Sequence, residues 1–284
     1  MEIILNIFLF LFGACIGSFL CCQVRRLRLK EEKKKSPGSR SVCLSCGYKL
    51  KWYDNLPIIS WLILGGKCRK CRKKIGLAEL LTEIGTGAAF LLITLAFNRS
   101  LYGSPSTIFG EFPGNLTPPY PIGVLNLSFY VIMLIFILVL IFLAIYDGLY
   151  GELPTSCLVL SLIFAVIILV IKEYQLLAVS PFVPENILAP LISVLILGGL
   201  YLILYLISKG RWVGDGDWIL GTSLGLVLFA PLLSLLTLFL SNFIALAVML
   251  PFLKGKHKQK IYFGPFLVIA FIIVCSFCDI ISLW

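Results

Sequence analysis

The chain has 284 residues, of which 60% are hydrophobic and only 13% are charged, and its mean hydropathy is +1.01. A composition this apolar excludes an ordinary soluble globule and is typical of a protein that crosses a membrane several times. The formal net charge of +10 suits either nucleic acid or an anionic membrane surface, so the placement of the basic residues has to decide between them.

Apolar runs of about the twenty residues that a bilayer crossing requires recur along the chain. Six of them are separate: 3–22, 80–97, 124–146, 153–171, 187–207 and 263–281. A further run, 218–253, would measure about 54 Å as one helix, against roughly 30 Å of hydrocarbon. We therefore read it as two spans with a turn near Pro231 to Ser234. The alternative position for this turn is Ser241-Asn242. The sequence predicts an all-α polytopic membrane protein with about eight transmembrane helices.

The basic residues test this count, because cytoplasmic loops of membrane proteins are enriched in Lys and Arg. Eight spans place 22 of the 24 Lys and Arg on one side, 16 of them in the run 23–77. We therefore expect the N-terminus outside, this run in the cytoplasm, and contact with anionic lipids rather than nucleic acid. The first span has no basic segment before it, so we read it as an uncleaved anchor.

The cytoplasmic run contains two Cys-x-x-Cys pairs, Cys43 with Cys46 and Cys68 with Cys71, separated by 21 residues. Two such pairs indicate one tetrahedral zinc ion, since each pair supplies two thiolates. Disulfides are disfavoured in the reducing cytoplasm, and a redox-active Cys-x-x-Cys needs only one pair. With four sulfur ligands the zinc ion would be structural and would supply much of the folding free energy of this small insertion.

Glu79 and Glu83 lie one helical turn apart at the start of the second span and share one face of that helix. Acidic residues at a helix N-terminus also stabilise the helix through its dipole, without any further role. A secondary site at Glu79 and Glu83 stays open beside this structural interpretation.

Asp147 and Asp217 each lie at the predicted cytoplasmic end of an apolar span. An ionisable side chain is costly there and is a functional hypothesis by default. Two carboxyl groups in a partly dehydrated site do not both ionise easily, so one holds a proton while the other acts as a base. This is the arrangement of an aspartic protease, in which the base deprotonates water and the acid protonates the scissile carbonyl.

Asp217 ends the segment Gly214-Asp215-Gly216-Asp217. Gly214 and Gly216 allow turns that other residues resist and a close approach of the backbone to a substrate strand. By itself, however, Gly-x-Gly-Asp is a weak motif, and an ordinary turn in which Asp217 caps the next helix is the alternative.

Together with further segments, these residues resemble the bacterial type IV prepilin peptidase family, membrane aspartic proteases of the Gly-x-Gly-Asp type. The resemblance covers nearly the whole chain, with the motifs in the family's order. Its segments are Gly17-Ser-Phe-Leu20, Arg40-Ser-x-Cys43-x-x-Cys46, residues 52–61, Cys68-x-x-Cys71, Glu79-Leu-Leu-Thr-Glu83, Asp147 with Leu153-Pro154, Gly214-x-Gly216-Asp217 and Phe263-Gly-Pro-Phe266.

The resemblance implies cleavage of the short basic leader of type IV pilin-like precursors, after a glycine, on the cytoplasmic side of a bacterial inner membrane. Asp147 and Asp217 match the catalytic pair. Relatives with the long cysteine-bearing loop typically also N-methylate the new N-terminal residue with S-adenosylmethionine. The sequence has no glycine-rich nucleotide-binding loop, so the binding site of this methyl donor cannot be located by motif.

The chain then divides into a first transmembrane helix at 1–22, a cytoplasmic basic and zinc-binding insertion at 23–78, and a transmembrane peptidase domain at 79–284.

Three positions depart from the family pattern: Cys21 where Asn is common, Thr155 where Asp or Asn often follows Leu-Pro, and Ile219 where a lysine is common. The loss of a cation at 219 and the added carboxylate of Asp215 should both favour the protonated form of the pair. We therefore expect a pH optimum for cleavage above that of lysine-bearing relatives.

Other classes of function stay open. A transporter could use intramembrane acids as proton relays, but the sequence has neither evident inverted repeats nor acids near the middle of a span. A zinc-stabilised membrane scaffold would tolerate the loss of both aspartates, whereas an enzyme would not. Within the enzyme class, a peptidase without methyl transfer is the main alternative.

Overall fold

The computed structural model describes residues 2–32, 41–43, 45–102, 122–177, 185–211, 213–250 and 262–281. Helices dominate these ranges, which contain no β-strand beyond two isolated bridges. The helices are α1 (Glu2–Glu31), α2 (Ile59–Ile63), α3 (Leu77–Tyr102), α4 (Ile122–Tyr150), α5 (Thr155–Leu177), α6 (Glu185–Val194), α7 (Leu200–Ser208), α8 (Asp217–Leu228), α9 (Pro231–Met249) and α10 (Gly264–Ile281). A 3₁₀-helix covers Trp52–Asn55, and a π-helical turn, Leu195–Gly199, joins α6 to α7.

Six helical segments in the described ranges are long and apolar enough to cross a bilayer. They are α1, α3, α4, α5, the continuous run from α6 to α7, and α9, whereas α8 and the described part of α10 are shorter apolar helices. The prediction of an all-α membrane protein is confirmed, with six to eight helices of this kind. The lysine cluster 254–260 lies outside the described residues.

The long apolar run 218–253 is divided, as its length predicts. Helix α8 ends at Leu228, and Phe229 follows with a left-handed φ of 56° that stops the helix. Pro231 then occupies the first turn of α9, where its missing N–H costs nothing. The turn therefore lies directly before the expected window, and the alternative turn at Ser241-Asn242 is wrong, since that pair lies within α9.

The chain divides into two compact units, 1–91 and 92–284. In the first unit, α1 and the N-terminal part of α3 approach closely at glycines. A Cβ at Gly17 would lie 2.7 Å from Thr86 Oγ1, and a Cβ at Gly87 would lie 2.8 Å from the carbonyl oxygen of Phe10. The glycines at 17 and 87 thus permit close packing of α1 against α3.

In the second unit, α8 packs against the π-helical turn and α6 through two glycines at Gly-x-x-x-Gly spacing. A Cβ at Gly221 would lie 2.7 Å from the carbonyl oxygen of Leu197, and one at Gly225 would lie 2.8 Å from that of Ser193. Larger residues could not occupy these positions without moving backbone. The packing therefore fixes the position of α8, whose first residue is Asp217.

The core of the second unit holds α4 against α10. Phe136 and Phe271 are fully buried and meet edge to face, with ring centroids 6.0 Å apart. Such aromatic pairs contribute about 1 kcal/mol beyond the area they bury. Tyr146, next to Asp147, is also fully buried. The C-terminal end of α4 is thereby held beside the N-terminus of α10.

Candidate functional sites

Asp147 lies in the last turn of α4, with only 6% of its surface exposed. Its Oδ2 accepts a 3.0 Å hydrogen bond from the backbone N–H of Gly264, the first residue of α10. Free N–H groups and the dipole at a helix N-terminus stabilise a negative charge. The fold therefore supplies a buried position in which this carboxylate can exist.

Asp217 is the first residue of α8 and is 8% exposed. Its Oδ2 accepts a 3.0 Å hydrogen bond from the backbone N–H of Gly214. Gly216 has no room for a side chain, because a Cβ there would lie 2.8 Å from Leu153 Cβ and 3.0 Å from Leu158 Cδ1. The two glycines of Gly-x-Gly-Asp thus differ in role: the first donates to the carboxylate and the second allows close packing.

The structure brings Asp147 and Asp217 together, close enough for the carboxyl group of Asp217 to act electrostatically on that of Asp147. Backbone N–H groups engage one oxygen of each carboxyl group, whereas the other oxygen, Oδ1, has no hydrogen-bond partner among the described residues. Asp215, in contrast, is exposed. Two buried carboxyl groups that lie this near each other can share one proton.

Tyr201 of α7 is a neighbour of this pair that no sequence motif indicates. Its ring packs on Phe263 with centroids 5.3 Å apart, and Asp217 acts on it electrostatically. The Tyr201 hydroxyl is buried and has no hydrogen-bond partner within the described part of the chain. The Ser241 hydroxyl is nearby but donates to the Leu238 carbonyl at 2.9 Å. A tyrosine in an apolar span is usually a packing residue, so only the fold could reveal this position.

The four cysteines Cys43, Cys46, Cys68 and Cys71 form one cluster, with all Sγ atoms within 4.8 Å of one another. The Sγ atoms of Cys43 and Cys71 are 3.9 Å apart. Tetrahedral zinc with Zn–S bonds of about 2.3 Å places its sulfur ligands about 3.8 Å apart, whereas a disulfide needs about 2.05 Å. The cluster therefore has the donor set and spacing to bind a metal ion, as the sequence predicts.

Both cysteine pairs lie in the same type of short hairpin. Isolated bridges close the hairpins, Val42 with Lys49 and Lys67 with Lys74. The N–H of Gly47 donates to the Cys43 carbonyl at 2.9 Å, and the N–H of Arg72 donates to the Cys68 carbonyl at 3.0 Å. Gly47 and Arg72 both have left-handed φ, 68° and 58°. The left-handed position favours glycine, but only the first hairpin has glycine there, whereas the second has Arg72.

The thiols of the cluster differ in acidity. Desolvation opposes ionisation of Cys43, but hydrogen bonds from the backbone of Ser45 and Cys46 outweigh it and lower the pKa of Cys43 to about 6. A backbone hydrogen bond from Tyr48 favours the Cys46 thiolate, but burial and the neighbouring thiols together raise the pKa of Cys46 to about 11. The cluster therefore starts from one readily formed thiolate, the form that binds metal.

Asp54 ties the segment between the cysteine pairs to the second hairpin. It is 8% exposed, and its Oδ1 accepts a 2.8 Å hydrogen bond from Arg69 Nε, between Cys68 and Cys71. This bond raises the pKa of Arg69. Asp54 Oδ2 also accepts the N–H of Lys51 at 3.1 Å. The Trp-Tyr-Asp-Asn segment is therefore part of the folded insertion and not a linker.

Glu79 and Glu83 have different partners. Glu79 forms an ion pair through Oε1 with Arg25 of α1, while Glu83, 8% exposed, accepts the N–H of Ile58 at 2.7 Å. Ile58 has a left-handed φ of 62°, which is strained for a β-branched residue. The acidic pair thus joins α3 to α1 and to the segment 52–61, beyond a simple interaction with its own helix dipole.

Comparison with known proteins gives both local and full-length similarity. Residues 11–97 match the family model described as the bacterial peptidase A24 N-terminal domain. Prepilin leader peptidase/N-methyltransferases of Myxococcus xanthus and Vibrio cholerae are 40% identical over 84 residues and 37% identical over 89 residues, each match covering 30% of this chain. These matches span only 24% and 35% of the two relatives' lengths.

A prepilin leader peptidase/N-methyltransferase of Aeromonas hydrophila is 27% identical over 300 residues, which cover 97% of this chain and 91% of that relative. No solved structure matches the chain. The N-terminal match, the full-length alignment and the order of the motifs agree with one another. The chain is thus similar to bacterial prepilin leader peptidase/N-methyltransferases over nearly its whole length, and most strongly in its N-terminal third.

Proposed function

We propose that the chain is a membrane aspartic endopeptidase that removes the short basic leader from type IV pilin-like precursors at the cytoplasmic face of a bacterial inner membrane. The observation that carries this proposal is the pair of buried aspartates, Asp147 and Asp217, each held by one backbone N–H group. If these aspartates belonged to a structural ion pair, a cation would lie beside them. In a scaffold, burial of two like charges would cost free energy without serving a function.

In the mechanism that we propose, the pair shares one proton. The ionised carboxylate takes a proton from a water molecule, whose oxygen attacks the scissile carbonyl carbon, while the neutral carboxyl group protonates the carbonyl oxygen. The tetrahedral intermediate then collapses, the C–N bond breaks, and the leaving amine takes up a proton. Burial of both carboxyl groups strengthens these electrostatic interactions.

We assign the remaining parts of the chain to support this reaction. The four cysteines would hold one structural zinc ion in a cytoplasmic insertion at 23–78, between a first transmembrane helix at 1–22 and the peptidase domain at 79–284. The Lys- and Arg-rich run 23–77 would face anionic lipids, with the N-terminus outside. The relatives' names add N-methyltransferase activity, so we include methylation of the new N-terminal residue with S-adenosylmethionine.

The test is cleavage of a purified pilin-like precursor by the wild type and by Asp147→Asn, Asp217→Asn and Asp215→Asn proteins, with zinc content checking the fold. We expect the first two variants to lose about 10²–10⁴-fold in rate and the third, at an exposed position, to retain activity. Near-normal cleavage by Asp147→Asn would contradict the proposed pair and point to Asp215 with Asp217.

Labelled methyl donor in the same reaction separates the proposed bifunctional enzyme from a peptidase alone. We expect the label to appear on the cleaved product and not on uncleaved precursor, because the acceptor amine exists only after cleavage. Cleavage without labelling would leave a peptidase without methyl transfer.

A further inference from the structure

The segment 52–63, which lies between the two cysteine hairpins and ends with α2, turns its large apolar side chains outward. The exposed ones are Trp52, Leu56, Ile59, Leu62 and Ile63. Trp52 is 77% exposed and Ile63 is 74% exposed, whereas the segment's acidic residue, Asp54, is buried. Single exposed apolar residues are ordinary, but a cluster of five within twelve residues indicates that something apolar covers this surface.

Two contacts to α3 give the level of this segment relative to the membrane. Arg25, where the apolar part of α1 gives way to basic residues, forms an ion pair with Glu79. Such a pair marks the headgroup level, because charged groups avoid hydrocarbon. The N–H of Ile58, directly before α2, donates to Glu83 at 2.7 Å. Glu83 is four residues further into α3 than Glu79, which is about 6 Å at 1.5 Å per residue. The start of α2 therefore lies below the headgroup level.

The first turns of α3 are exposed and apolar at this same level. Leu77, Leu81 and Ile84 are all exposed, and their spacing places them on one face of the helix. Residues 77–97 are long and apolar enough to cross a bilayer, so lipid covers this face of α3 in a membrane. Lipid at this depth would also reach the apolar side chains of the segment 52–63, and a protein partner would have to displace it.

The charges around the segment select the kind of lipid. Eight basic residues flank it within residues 45–76, and all of them are exposed: Lys49, Lys51, Lys67, Arg69, Lys70, Arg72, Lys73 and Lys74. Asp54 is the only acidic residue in that range, and it is hydrogen-bonded to Arg69. An apolar surface with basic residues on both sides is typical of elements that lie in the interface of an anionic bilayer.

We propose that the segment 52–63 is an interfacial wedge, whose apolar side chains insert into the bilayer leaflet beside the insertion while the flanking basic residues contact anionic headgroups. The inference deepens the proposed lipid contact of the run 23–77 and rests on it, since it adds hydrophobic insertion to electrostatic attraction. Interfacial elements bury their apolar face about 5–10 Å deep, which agrees with the level of Ile58. The wedge would hold the two cysteine hairpins against the membrane surface.

The experiment measures quenching of Trp52 fluorescence by brominated lipids in vesicles that contain the zinc-loaded full chain. The difference in emission between a protein and its Trp52→Phe counterpart isolates the signal of Trp52. Bromine atoms are placed either near the headgroup end of the acyl chains or at their far end, in phosphatidylcholine with or without phosphatidylglycerol. The double variant Leu62→Gln with Ile63→Gln tests the wedge. Its matched control is Ile163→Gln, at an isoleucine of α5 that is 50% exposed.

We expect bromine near the headgroup end to quench Trp52 at least about twofold more than bromine at the far end, because the indole would lie at the interface. The double variant should lower the quenched fraction by about half, since it removes apolar surface from the membrane, and the control should not change it. Omission of phosphatidylglycerol should also lower the quenching. Equal quenching in neutral vesicles would overturn the role of the basic residues.

Quenching of Trp52 by acrylamide from the water phase, without quenching by brominated lipid, would overturn the wedge. Protection of Trp52 that appears only after a pilin-like precursor is added would also overturn it and would make the surface a docking site for protein. Leader cleavage and zinc content are measured separately on each protein. A lipid-quenched Trp52 in a wild type that does not cleave precursor would refute the proposed peptidase and leave the wedge intact.

Discussion

Gly264 donates its backbone N–H to Oδ2 of Asp147, 117 residues earlier in the chain, at a distance of 3.0 Å. A Cβ at position 264 would lie 2.7 Å from the same oxygen, closer than real Cβ atoms come to such a neighbour. Glycine is therefore needed here for the approach of a carboxylate to the N-terminus of α10. This contact explains why the Phe-Gly-Pro-Phe motif has glycine at its second position, which the sequence alone does not explain.

We predict that Gly264→Ala lowers the rate of leader cleavage by about 100-fold, because displacement of a reacting group by about 1 Å has costs of this order. The measurement is the cleavage rate of a purified precursor at saturating enzyme. Gly148→Ala is the matched control, since a Cβ next to Asp147 would meet only Pro265 Cγ, at an ordinary 3.5 Å. Equal rates for the two variants would show that the Gly264 contact is unimportant.

The two glycines of Gly-x-Gly-Asp should respond differently to alanine. A Cβ at Gly216 would lie 2.8 Å from Leu153 Cβ, whereas a Cβ at Gly214 would lie 3.4 Å from Asp217 Oδ2 and leave its N–H in place. We expect about a 100-fold loss of cleavage in Gly216→Ala and less than about tenfold in Gly214→Ala. The comparison uses initial cleavage rates normalised to folded, zinc-bearing protein. The reverse order of effects would refute the packing argument.

Metal removal should destabilise the insertion, because a small loop with little core depends on its metal for folding. We expect one zinc ion per chain, and its loss with a lower melting temperature in Cys43→Ser and Cys71→Ser. Metal analysis and thermal unfolding in detergent provide the measurements. Cys15→Ser is the control, at an exposed cysteine outside the cluster. Stoichiometric zinc in both cluster variants would contradict a four-cysteine site.

The left-handed position after each cysteine pair allows a reciprocal test. Arg72→Gly should stabilise the zinc-bearing insertion by up to about 1 kcal/mol, since glycine adopts a φ of 58° without the penalty that a side chain imposes. Gly47→Ala, at a φ of 68°, should destabilise the insertion by a similar amount. Chelator competition for zinc reports both changes. Shifts of the same sign in the two variants would exclude backbone strain as the cause.

The pH dependence of cleavage should report two departures from the family pattern near Asp217, namely the added charge of Asp215 and the missing cation at position 219. Asp215 is exposed, and its negative charge acts on Asp217. A pair that shares one proton needs one ionised and one neutral carboxyl group. Removal of a nearby anion or addition of a cation favours ionisation of the pair, so the pH range in which the enzyme cleaves moves to lower pH. We expect Asp215→Asn and Ile219→Lys each to shift the profile by about half a pH unit, because solvent screens exposed charges. Unchanged profiles in both variants would count against this hypothesis.

Local sequence patterns are sufficient to predict much of the fold of this protein. Apolar length and composition predict the membrane class, and the excess length of the run 218–253 predicts its division, since both follow from the thickness of a bilayer. The spacing of the cysteine pairs predicts the cluster that the structure forms. The turn before Pro231 is nearly located by sequence because proline has a strong preference for the first helical turn.

Contacts between distant residues are decided only by the tertiary structure. No periodicity relates Gly264 to Asp147, Tyr201 to Asp217, or Arg25 to Glu79, because helix packing sets these pairs and many packings satisfy the same apolar pattern. The sequence also does not decide between helix stabilisation and a site for Glu79 and Glu83. Only the fold reveals which polar atoms are buried without a hydrogen-bond partner among the described residues, since burial is a property of the assembled helices and not of a residue's position in the chain.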